Sequence, residues 1–200
     1  MTHQLLNLLG THDTVRAITM LAGSSGEGLS SDMQATKRMT ADEYKLGVKR
    51  LKLAYFILAT IPGVPCIYYG DEIGMEGEKD PFNRMPYPWG QENHELLRYF
   101  RKVGRMRRRE SEFFADAEFE IMYLDRSILV FERRKGGETL AVVVNRSKDT
   151  FVFSADDEAN EIFYQRVGTE FEIKSMSAHC FKMNDNTKYG VVPKLNDGKK

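Results

Sequence analysis

Two short, largely apolar runs, each halted by acidic residues and separated by one long amphipathic helix, constrain this chain more than any other feature. Gln4 to Leu9 ends at Gly10-Thr11-His12-Asp13, and Val64 to Tyr69 ends at Gly70-Asp71-Glu72. A short apolar run closed by polar residues reads as a strand buried on both faces, as in a parallel sheet. Between the two, Thr40-Ala41-Asp42-Glu43 has the form of a capping box, in which Thr40 and Glu43 satisfy each other's free amides. Val48, Leu51, Tyr55 and Leu58 then make an apolar stripe, and Lys45, Lys49 and Lys52 a solvated one, until Pro62-Gly63 stop the helix. Strand, helix, strand at this spacing is a βαβ unit. Sheets of that kind carry their sites at the carboxyl ends of the strands, where both acidic clusters fall.

The rest of the chain divides by period. Thr14 to Leu21 reads as a helix capped by Asp13 or Thr14, Gly23 to Ser31 as a loop, and Glu76 to Gly90 as irregular for its Pro, Gly and Asp content. Asn93 to Arg109 is helical, with Leu96, Phe100 and Val103 inward; its arginines read as a solvated face rather than a nucleic-acid patch. After Glu110 the repeat changes from 3.6 to 2, with Phe119, Ile121 and Tyr123 alternating with Glu118, Glu120 and Met122. Strands are predicted at Ser127–Arg134, Glu138–Asn145, Thr150–Ser154, Glu161–Val167, Phe171–Lys174 and Ser177–Met183, with Gly136-Gly137 as a hairpin turn. That spacing predicts a small antiparallel β-sandwich over residues 113–183, after an α/β part over 1–112 and before a frayed polar tail over 184–200.

Charge excludes some partners. Lys+Arg and Asp+Glu are equal at 29 each, so no net field draws in nucleic acid or an anionic membrane, whereas a neutral sugar polymer fits. No apolar run approaches the roughly 18 residues of a membrane span, and Met1 to Leu5 lacks the character of a signal peptide. Cys66 and Cys180 read as two buried free thiols of a reducing compartment, which favours the cytoplasm.

Taken singly, the acidic clusters are open to bland readings. His12-Asp13 suits a loop hydrogen bond and a helix cap; Asp71-Glu72 suits amide capping or a neighbouring basic residue, its preferred reading. Tyr87 and Trp89 either stack on sugar faces or pin their Pro-rich loop. The combination says more. Asn7-Leu8-Leu9-Gly10-Thr11-His12-Asp13-Thr14 resembles the fourth conserved region of the α-amylase family, on the seventh strand of its barrel. Pro62 to Met75 resembles the eighth strand and following loop. Asp80-Pro81-Phe82-Asn83-Arg84-Met85-Pro86-Tyr87-Pro88-Trp89 resembles the next loop of the neopullulanase, cyclomaltodextrinase and maltogenic amylase branch.

The resemblance implies the last two βα units of a TIM-type (β/α)8 barrel followed by the β-domain. It makes Asp13 the catalytic carboxylate that stabilises the transition state, and His12 a ligand of the same sugar ring. Asp80 and Arg84 become the pair that binds the next sugar. The family's nucleophile and acid/base lie on its fourth and fifth strands, which have no counterpart here, so the chain alone is expected to be inactive. No cofactor is implied; calcium occurs in many relatives, yet no ligand set stands out and none is assigned. With only a quarter of a barrel, Leu6, Leu8, Ile67 and Tyr69 lose their interior partners, which predicts self-association through the exposed strands. The rival readings are a non-catalytic glucan-binding or assembly module, and a glucosyltransferase or α-1,6-specific sibling.

Overall fold

The computed structural model describes residues 5–194. They divide into two compact units after Arg105, with Thr60–Pro62 joining the second, so the division falls before the 112/113 boundary expected from the pattern.

In the first unit, β1 (Leu6–Leu8) runs parallel to β2 (Val64–Cys66), with Leu6, Asn7 and Leu8 opposite Val64, Pro65 and Cys66. Both strands are shorter than the apolar runs that announce them. Nor are they buried on both faces, which corrects the expectation: Leu6 is 65% and Leu8 48% exposed, and Val64, Ile67 and Tyr69 are also exposed. The reason is topological. The two strands form a sheet by themselves among the described residues, so neither has a second neighbour and their apolar faces lack a packing layer.

Helix α1 (Ala17–Ala22) starts after the predicted cap, because Thr11 and Thr14 close a turn on each other first. The Thr11 amide donates to Thr14 Oγ1 at 2.9 Å, and the Thr14 amide donates to the Thr11 carbonyl at 3.3 Å. Helix α2 (Ser31–Thr36), unforeseen, buries no residue and so shows no apolar period; its one signal is Ser30, whose Oγ accepts from the Met33 amide. Helix α3 (Ala41–Thr60) forms where the capping box placed it. The Thr40 amide donates to Glu43 Oε2 at 2.7 Å, and the Glu43 amide donates back to Thr40 Oγ1 at 3.3 Å. Its inner face buries Leu51, Tyr55 and Leu58, and Tyr55 stacks at 3.9 Å on Phe100 of α4 (His94–Arg109). Asn93 caps α4, its Oδ1 accepting from the Leu96 amide at 3.0 Å.

The second unit opens with α5 (Ser111–Asp116), a helix where the alternating pattern had only a boundary. Seven strands follow: β3 (Glu118–Leu124), β4 (Ile128–Lys135), β5 (Glu138–Asn145), β6 (Phe151–Glu161), β7 (Arg166–Ile173), β8 (Ser177–Asn184) and β9 (Tyr189–Pro193). The β4–β5 turn is Gly136-Gly137, with φ of 61° and 82°, the left-handed pair a two-residue hairpin requires. Three strands expected between residues 150 and 174 prove to be two. The chain does not turn at the acidic run 156–158. It carries that run outward on a register break between Ser154 and Ala159, and turns instead at 162–165.

The order is β3-β4-β5-β8-β6-β7, all antiparallel, with β9 also on β6. The expected sandwich is thus one continuous sheet folded over its own core at β6. Phe151–Ala155 of that strand pairs with β9, while Asn160 and Glu161 pair with β8. Phe153 stacks at 3.8 Å on Phe181 of β8, a strand its own half does not pair with. The frayed tail is corrected as well: Val191 and Val192 lie opposite Phe153 and Val152, and Tyr189 donates to Glu132 Oε1 at 2.7 Å, so a strand seals the fold there. The remainder of that tail, residues 195–200, lies outside the described residues, as does Gln4. Arg133, fully buried, holds this unit's helical end. Its Nε and Nη2 donate to the Ala117 carbonyl at 3.2 and 3.0 Å, Nη2 to Phe114 at 3.2 Å, and Nη1 to Thr60 at 3.2 Å. Burial pushes this guanidinium down to about 10, so it stays charged at neutral pH.

Candidate functional site

The first unit gathers all four expected site residues into one cluster. The Thr11–Thr14 turn fixes the backbone around Asp13, whose amide donates to Thr11 Oγ1 at 3.2 Å. His12 Nε2 lies 3.2 Å from Asp13 Oδ2. From the loop after β2, Arg84 reaches across: Nε lies 2.7 Å from Asp80 Oδ1 and donates to the His12 carbonyl at 3.1 Å, while Nη2 lies 3.5 Å from Asp13 Oδ1. The side chains stay open to solvent, at 62% for His12, 71% for Asp13, 55% for Asp80 and 45% for Arg84.

Two residues that build this cluster were not picked out from the sequence. Asn83 is fully buried and spends both amide hydrogens on the peptides flanking Asp13, donating to the His12 carbonyl at 2.8 Å and the Thr14 carbonyl at 2.7 Å. With its two hydrogens on the peptides either side of Asp13, this amide sets the direction in which Asp13 leaves the backbone. Its sequence signal was its place between Asp80 and Arg84, where an asparagine reads as an ordinary turn residue.

Arg16 is the second. It lies buried beneath the cluster, donates through Nη1 to the Tyr69 carbonyl, and places its guanidinium 4.3 and 4.5 Å from the ring centres of Tyr68 and Tyr69. Asp71 faces it at 3.7 Å and is itself buried. Burial, helped by the neighbouring Glu72 and opposed by Arg16, pushes the Asp71 carboxyl up to about 7. Asp71 thus has the structural role expected of it, bound to a basic neighbour. Burial and the neighbouring Glu72 carboxylate push the Tyr87 hydroxyl upward.

Chemically, the cluster presents a solvent-facing carboxylate, an imidazole and a guanidinium on a backbone stiffened from below. That set suits hydroxyl-rich neutral ligands: the carboxylates accept and the guanidinium donates. Among the described residues no group of three His, Cys, Asp or Glu is placed to hold a metal ion, and no helix is long and apolar enough to cross a membrane.

Residues 1–118 match the family model described as the α-amylase catalytic domain. An amylopullulanase of Thermoanaerobacter thermohydrosulfuricus is 38% identical over 155 residues, covering 78% of this chain and 9% of that protein. A cyclomaltodextrinase of Geobacillus thermopakistaniensis is 34% identical over 151 residues, covering 72% of this chain and 21% of that protein. Among solved structures, an α-amylase of Geobacillus thermoleovorans complexed with acarbose superposes with a TM-score of 0.72 at 24% identity, over 92% of this chain and 40% of that one. A maltogenic amylase of S. marinus gives 0.63 at 25% identity, over 88% and 22%. The chain therefore spans less than half the length of these proteins.

Proposed function

The chain belongs to the α-amylase catalytic-domain family, and on that footing we propose that it is the C-terminal portion of a retaining hydrolase of α-glucosidic bonds in starch, pullulan or cyclodextrins. The observation that carries this reading is the convergence of His12, Asp13, Asp80 and Arg84 at the carboxyl ends of two parallel strands. In this reading β1 and β2 are the last two strands of the barrel. Asp13 accepts hydroxyl hydrogen bonds that strengthen as the sugar flattens toward an oxocarbenium ion, and His12 holds the same ring. Asp80 and Arg84 bind the next sugar.

Double displacement also needs a nucleophile and an acid/base, and the carboxylates of the cluster are spoken for. Asp80 is paired with Arg84, and Asp71 lies buried against Arg16. Both catalytic groups then come from polypeptide beyond this chain, which alone turns over no glucan. The wet apolar strands imply self-association in their absence, and the two free cysteines fit a reducing cytoplasm.

The test is reconstitution. Incubated with maltooligosaccharides, pullulan or cyclodextrin, the chain alone should release no reducing ends. Mixed with the first six βα units of a cyclomaltodextrinase barrel, it should hydrolyse them. In that mixture Asp13→Asn should cut kcat by about a thousandfold with little change in folding, since it removes a charge-assisted bond made mainly in the transition state. Turnover by the purified chain alone, or a loss confined to KM in the variant, would sink the reading.

A further inference from the structure

Trp89, the chain's single tryptophan, stands 81% exposed. An indole left this wet forfeits burial that most tryptophans obtain and leaves a broad aromatic face open to a ligand. The ring is braced. Tyr87 lies 4.5 Å away, tilted by 48°. The Trp89 amide donates to the Tyr87 carbonyl and the Gln91 amide to the Pro88 carbonyl, each at 3.0 Å. Pro86 and Pro88 restrict the backbone further, and the Tyr69 hydroxyl donates to the Met85 carbonyl at 2.9 Å, tying the loop back to the end of β2.

This stiff loop runs on directly from Arg84. Other residues of the loop line a cavity of about 500 Å3, whose lining includes neither Trp89 nor Tyr87. One wall holds Phe82, Met85 and Pro88, and the polar groups include Gln34, Arg38 and Gln91. A pyranose has two unlike surfaces: a C–H face that lies on an aromatic plane, and a rim of hydroxyls that needs amides and guanidinium groups. Trp89 offers the first kind of partner, on the loop that runs on from the pair that contacts a sugar in the reading above.

We propose that Trp89, backed by Tyr87, is a stacking platform for a glucose unit of an α-glucan chain beyond the sugar held by Asp80 and Arg84. The inference rests on the cluster at Asp13 being an α-glucan site, but its test requires no catalysis. Because the chain has no other tryptophan, its indole emission reports this one position. Titrating the full chain with maltoheptaose should give a saturable blue shift, with weaker binding of maltotriose and no response to cellooligosaccharides. Trp89→Ala, at a position too exposed to disturb folding, should bind maltoheptaose about tenfold more weakly by calorimetry.

An emission spectrum indifferent to maltoheptaose, or a Trp89→Ala variant that binds it equally well, overturns the platform. The reconstitution assay separates this from the broader reading. Hydrolysis with a silent Trp89 removes the platform alone, and a responsive Trp89 without hydrolysis supports the platform while removing the catalytic assignment.

Discussion

His179 shows how far a single residue can tie stability to pH. It is buried on β8, its Nε2 3.2 Å from Ser177 Oγ and its ring parallel to Phe181, with the Glu161 carboxylate 3.7 Å from Nδ1. Burial, helped by Arg166, pushes the imidazole from its ordinary 6.5 down to about 3. The unfolded chain therefore binds more protons than the folded one between those values. The stability this residue contributes is complete above pH 6.5 and is lost as pH falls toward 3. Glu161, raised by burial, works in the opposite sense, so the clean measurement is a difference. Between pH 7 and pH 4, wild type should lose about 2–4 kcal/mol more than His179→Gln in urea unfolding; parallel pH profiles for the two would remove His179 as the cause. Nothing in the alternating pattern around His179 announces this, because a strand pattern says which face a side chain takes and nothing of the charges opposite. The candidate cluster was legible for the converse reason. His12, Asp13, Asp80 and Arg84 lie in unbroken local motifs, whereas Asn83 and Arg16 act through carbonyls and rings distant in sequence.

Elements were readable in proportion to how much of their stability is local. The capping box and stripe of α3 are written within its own residues. Helix α2, with nothing buried, and the β6–β7 ladder, set by a register break, are not. Glycines inside helices make the same distinction testable. A Cβ on Gly47 would come 2.8 Å from Ile18 Cγ1 and 3.0 Å from the Ile18 carbonyl, so α1 and α3 approach closely there. A Cβ on Gly104 would meet only Tyr55 Oη, at 3.8 Å. Alanine carries about 1 kcal/mol more helix propensity than glycine. Gly104→Ala should therefore stabilise by up to about 1 kcal/mol, while Gly47→Ala should destabilise by about 1 kcal/mol or more as overpacking outweighs propensity. Thermal melts of the pair would show opposite shifts; shifts of the same sign would mean that the helix approach is not tight. Arg133 is the matching case at the end of α5. Arg133→Met removes the buried guanidinium that donates to the Phe114, Ala117 and Thr60 carbonyls and should cost about 3–5 kcal/mol in urea unfolding, beyond what its lost packing alone would give. A cost under 1 kcal/mol would show those carbonyls finding other partners.

For the whole molecule, the exposed faces of β1 and β2 set the expected state in solution. Leu6, Leu8, Val64 and Ile67 remain wet, each forfeiting about 1.5–3 kcal/mol of burial if nothing covers it. A second copy offers the same surface, and a symmetric dimer covers it with the fewest new contacts to invent. Light scattering across a micromolar concentration series should show a mass rising above the monomer, and Leu6→Lys should shift that rise to higher concentration; a steady monomer would mean the strands tolerate solvent. The second unit bears a different consequence of its topology. Because β6 lends its first half to β9 and its last residues to β8 while β7 follows it past the break, no hydrogen-bonded layer can peel away and leave the other whole. Stripping one sheet from the other, a route of local breathing in many two-layer folds, would have to break pairs along β6 in this one.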